Sequence, residues 1–146
     1  MEYLVGGGLA VGVFVFAWLT GFDRERVFYP TVTVVVASYY VLFAVMGGSR
    51  AALVNELMVA GAFVVAAVMG FRQNLWWAAT ALVGHGVFDV FHHLVIDNQG
   101  LPPYWPGFCM TYDVGAGVLL ALLLTRRPGF AGMVREAGLA GGVGAR

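Results

Sequence analysis

Apolar residues run along this chain in blocks long enough to cross a bilayer, and short polar stretches separate them. The blocks cover residues 3–20, 30–46, 51–70, 75–96 and 108–125, and the breaks fall at 21–29, 47–50, 72–74 and the proline-rich 97–107. This pattern predicts an all-α, polytopic membrane protein with five transmembrane helices. Pro30 suits a first helical turn, where its missing N–H costs nothing. The first block could pass for a leader peptide. However, Glu2 stands where a leader carries a basic residue, and Arg24 and Arg26 follow the block, so a first membrane helix with its N-terminus outside is expected instead.

Composition supports this reading. The chain has 146 residues, 60% hydrophobic and 11% charged, well outside the range of soluble domains. Five spans of roughly 20 residues leave no room for a sizeable domain outside the membrane. Residues 1–127 are therefore expected to form a single five-helix transmembrane domain, and the glycine-rich residues 128–146 a flexible cytoplasmic tail. Net charge is zero and lysine is absent, so no basic patch exists to hold a nucleic acid. The one cysteine, Cys109, permits no intrachain disulfide and no zinc or iron–sulfur site built from cysteines within one copy.

Arginine placement sets the orientation. Arg24, Arg26, Arg72, Arg126, Arg127, Arg135 and Arg146 share one side and only Arg50 the other, which places the N-terminus outside and the C-terminus in the cytoplasm. Trp18, Trp76 and Trp77 then mark the inner interface, and Tyr104 and Trp105 the outer one. In the first block, Gly8 and Gly12 have small-xxx-small spacing, which serves equally for packing within one bundle and for a homo-oligomer.

The fourth block contains His85, Asp89, His92 and His93. At 100 degrees per residue, His85, Asp89 and His92 fall within about 60 degrees of one another, with His93 about 40 degrees beyond Asp89. A charge at the bilayer centre costs about 2.5–3.5 kcal/mol, so these groups demand partners inside the bundle. Helix directions bring Asp113 of the fifth block, Asn55 and Glu56 of the third, and Ser38, Tyr39 and Tyr40 of the second to the same outer half. The inner half is almost purely apolar. Above this cluster the loop with Pro102, Pro103, Tyr104, Trp105 and Pro106 forms either a lid over an outward cavity or a rigid turn anchored in the headgroups.

The string Gly84-His85-Gly86-Val87-Phe88-Asp89-Val90-Phe91-His92-His93, followed by residues 98–114 with Trp105, Cys109 and Asp113, resembles the signature of small bacterial integral membrane proteins grouped as the DUF6010 family. The resemblance implies a compact, multi-pass helical protein of the bacterial inner membrane and brings no activity with it.

Three classes of function fit the cluster. In the first, His85, Asp89, His92, His93 and Asp113 are metal ligands for Zn, or else Fe or Mn, with Asp89, Asp113 and Glu56 as catalytic carboxylates of a metal-dependent hydrolase acting on a lipid or other amphiphile. The logic is similar to that of the alkaline ceramidase and adiponectin-receptor superfamily, although the spacing differs and only Ser38 stands in for the serine. The His-rich boxes of membrane desaturases need about eight histidines, against 3 here. The second class is a small-solute or proton-coupled carrier, or a ligand-binding membrane protein. In the third, a structural or assembly subunit, the polar groups form a satisfied network that fixes helix register, and Cys109 is a packing residue. No phosphate-binding loop, Gly-x-Ser-x-Gly elbow or haem-attachment motif occurs.

Overall fold

The computed structural model describes residues 1–127 and Gly129. Five α-helices account for nearly all of them: α1 (Glu2–Thr20), α2 (Phe28–Gly47), α3 (Arg50–Arg72), α4 (Trp76–Val95) and α5 (Trp105–Arg126). A single 3-10 turn at Phe22–Arg24 lies between α1 and α2, and no strand occurs among the described residues. The expected tail at 128–146 lies outside the described residues, apart from Gly129, as do Arg135 and Arg146.

Local chemistry sets the helix ends. Gly21 and Gly48 take left-handed backbone angles (φ 83° and 70°) that stop α1 and α2. Ser49 caps α3, its side chain accepting from the Ala52 N–H at 3.2 Å. Helix α5 begins three residues earlier than the apolar block suggests, because Pro106 fits the first turn of a helix.

Four helices, α1, α2, α3 and α5, are long and apolar enough to cross a membrane. Helix α4 matches them in length, with 20 residues, but His85, Asp89, His92 and His93 lower its hydropathy. The outward surface is apolar on every helix, with Leu4, Leu42, Val65, Phe91 and Leu122 among its exposed side chains. Exposure on that scale is a liability in water and suits acyl chains.

Helices α4 and α5 form the most extensive pair. Helix α1 packs on α5, α3 packs on α2 and α4, and α2 also touches both α4 and α5. Glycines let the central pair approach closely. A Cβ on Gly86 would lie 2.9 Å from Met110 O, and one on Gly117 would lie 2.9 Å from Ala79 O. In α1, Gly6 is the glycine packed within the bundle, since a Cβ there would overlap Phe108 O of α5. A Cβ on Gly8 or Gly12, by contrast, would meet nothing beyond its own helix backbone within 4 Å among the described residues.

The bundle is chemically divided along its length. Toward the α4 N-terminus, Tyr29, Leu75, Ala78, Ala79, Leu120 and Leu124 form an apolar core. Asp23 is the exception at that end: it is buried in the turn after α1, with Arg127 Nη1 at 3.4 Å. The opposite end, where α2 and α4 finish and α3 and α5 begin, holds the remaining buried acids and histidines.

Candidate metal centre

At 1.5 Å per residue, Asp89 lies about 9 Å from the end of α4, Glu56 about 9 Å into α3 and Asp113 about 12 Å into α5. Tyr40 lies about 10 Å from the end of α2, so four helices deliver polar groups to nearly one level. The Gly86 contact with α5 sits beside His85 and brings that ring against Asp113.

Here the polar groups sort into two clusters. In the first, His85 Nδ1 donates to Asp113 Oδ2 at 2.7 Å and lies 3.6 Å from Asp89 Oδ2. Cys109, one turn before Asp113 on α5, completes the group, and one ligand atom from each of His85, Asp89, Cys109 and Asp113 lies within 4.8 Å of all the others. All four residues are at most 3% exposed. Both oxygens of Asp89 and Oδ1 of Asp113 have no hydrogen-bond partner among the described residues. Buried polar atoms are rarely left so, and unpaired buried carboxylates are costly. A divalent cation would satisfy them, and the imidazole, thiolate and carboxylate donors suit zinc.

In the second cluster, His92 Nε2 meets Glu56 Oε1 at 2.8 Å, and Asn98 Nδ2 donates to the same oxygen at 2.8 Å and to Tyr40 O at 3.1 Å. The Tyr40 ring stands between the clusters, with centroids 5.4 Å from His85 and 4.7 Å from His92. His92 Nδ1 and Asn98 Oδ1 have no hydrogen-bond partner among the described residues.

A cavity of about 490 Å³ lies under the loop after α4, walled by Asp89, His92, His93, Asn98 and loop prolines, Pro102 among them. Asp89 belongs both to this wall and to the four-residue group, so it connects the cavity to the candidate centre.

The structure therefore brings together three of the five ligand candidates, His85, Asp89 and Asp113. His92 is instead held by Glu56, and His93 is exposed at the cavity. Ser38 is exposed and donates to Val35 O of its own helix at 2.6 Å, and Tyr39 faces outward where Tyr40 faces in. Sequence reasoning discounted Cys109. The available signal was its four-residue spacing to Asp113, which mirrors His85 to Asp89 on α4.

No family model, curated protein or solved structure matches the chain.

Proposed function

We propose that the chain is a five-span protein of the bacterial inner membrane, N-terminus outside and C-terminus in the cytoplasm. In this reading it binds one divalent metal, zinc foremost, through His85, Asp89, Cys109 and Asp113 and hydrolyses a lipid or other amphiphile. The observation that carries the metal is the convergence of four buried donors from α4 and α5 within 4.8 Å, three of their carboxylate oxygens lacking hydrogen-bond partners among the described residues. Membership of α4 among the spans is supported by its inward polar side chains and its outward Val87, Val90, Phe91 and Leu94. Arginine asymmetry supports the orientation.

Catalytic zinc keeps one position open, so with one of the four donors held back from the ion, a zinc there would supply an activated water as the hydrolytic nucleophile. The cavity reaching Asp89 gives a ligand access from the outer half, and the apolar surface gives an amphiphile its approach. Glu56 takes a different part from the catalytic carboxylates, orienting His92. A carrier would need a polar route through the other end, where Leu75, Leu120 and Leu124 pack together.

Elemental analysis of purified protein tests this. About one metal per chain is expected in the wild type and in His92→Ala, with loss in His85→Ala and in Asp113→Asn. A wild type that carries no metal and takes up none from added zinc would overturn the reading.

A further inference from the structure

The cavity under the loop has a one-sided hydrogen-bonding character. Glu56 Oε1 already accepts from Asn98 Nδ2, so His92 enters the pair as an Nε2–H donor, and in that tautomer the lone pair of the ring lies on Nδ1. That nitrogen has no hydrogen-bond partner among the described residues, and neither do Asn98 Oδ1 and the two oxygens of Asp89, one of them 3.6 Å from His85 Nδ1. His92, Asn98 and Asp89 all line the cavity. Asp97 adds a second carboxylate to the wall, while Pro102, Pro103 and Pro106 contribute backbone without an N–H. Among the described residues no arginine lines it, and the chain contains no lysine.

We propose that this cavity binds a primary ammonium group, the headgroup of a membrane amphiphile. The buried unpaired atoms of the wall are acceptors and two of its residues are carboxylates, so a phosphate or carboxylate would find side-chain donors only at the exposed Tyr3 and His93, whereas an ammonium brings three donors and a compensating charge. Val90, Ile96, Leu101 and Met110 in the same wall offer an apolar rim to the first carbons of a tail. The amphiphile rests on the hydrolase reading above, but the preference for N–H donors rests on the cavity alone.

The test uses full-length protein in maltoside micelles and three probes sharing one tail: decylammonium, decyltrimethylammonium and decanoate, with ethanolamine as the tail-free amine. Binding is measured by calorimetry. Decylammonium is expected to bind at least about tenfold more tightly than decyltrimethylammonium, which has the charge without the donors, and decanoate is expected not to bind. Ethanolamine binding as tightly as decylammonium would refute the amphiphile and keep the ammonium. His92→Leu and Asp97→Asn are each expected to reduce the decylammonium advantage while leaving metal content unchanged. Equal affinity for the two cations in the wild type, or a preference for decanoate, would overturn the proposal. Cys109→Ser separates the two readings: it is expected to lose the metal and keep the ammonium selectivity. Selectivity in a protein that never holds metal would sink the metal centre alone, and a metal-loaded protein without selectivity would sink this inference alone.

Discussion

Cys109→Ser is the sharpest perturbation of the candidate centre, because the two accounts of this side chain differ in what they expect from one atom. As a packing residue, Cys109 contacts Val36 and Tyr40 in a core that includes Trp105 and Tyr112. Replacing its thiol with a buried hydroxyl then costs about 1–3 kcal/mol of stability and does nothing to a metal. As a ligand it supplies the thiolate. Removing groups that merely support ligands costs about 10–100-fold in affinity, so losing a donor itself is expected to cost at least about 100-fold, or about 2.8 kcal/mol. Competition against a chromogenic chelator reads the zinc affinity, and cobalt loading adds a thiolate-to-metal charge-transfer band that serine cannot produce. Unchanged zinc affinity in Cys109→Ser, with the same cobalt spectrum as wild type, would refute the assignment.

Other consequences are open to measurement. Glu56→Ala strands the ring of His92 and the amide of Asn98, and is expected to lower stability in micelles by about 1–2 kcal/mol while metal content holds; a variant as stable as wild type would contradict the buried pairing. Gly86→Leu is expected to push α4 off α5 and cut metal occupancy, while Gly84→Leu, whose Cβ meets nothing within 4 Å, is expected to do neither. Replacing both Gly8 and Gly12 by Leu is expected to leave the fold intact and to dissociate a homo-oligomer built on that face, as light scattering would detect; unfolding would show that the face is not free. In a Cys109→Ser background, Gln99→Cys is expected to react with an impermeant maleimide on intact cells and Gln73→Cys only after permeabilisation, and the reverse pattern would invert the topology.

The helices were legible because each apolar block is bounded by residues with a physical reason to end it. The shared face of His85, Asp89 and His92 followed from helical geometry alone, and all three side chains are buried. What the sequence concealed was the division of that face into two clusters. It depends on Tyr40 inserting its ring between the histidines, and its neighbour Tyr39, chemically identical, points away. Periodicity alone did not say which tyrosine faces inward, since that depends on how α2 is rotated against α3, α4 and α5. Cys109 was hidden for a related reason: spacing tied it to Asp113, but only the close approach of α4 and α5 brings it to His85. The 97–104 segment was equally opaque. Its Gly100 fits so tightly against Phe43 O that no side chain could replace its hydrogen, and Asn98 bonds back to Tyr40 from the same segment.

If α4 crosses the membrane as proposed above, its polar face imposes an order on biogenesis. Presented alone to lipid, it would carry one aspartate and three histidines, with a central Asp alone worth about 2.5–3.5 kcal/mol against partitioning. Two of its neighbours, α2 and α3, emerge from the ribosome earlier, but the partner of His85, Asp113, sits on α5 and is synthesised last. In that five-span reading the nascent chain holds α4 at the insertion machinery, or against α3 through Glu56 and His92, until α5 arrives, and the two helices enter the bilayer as a hairpin. A chain truncated before α5 should leave α4 stranded in water, a substrate for quality-control proteolysis.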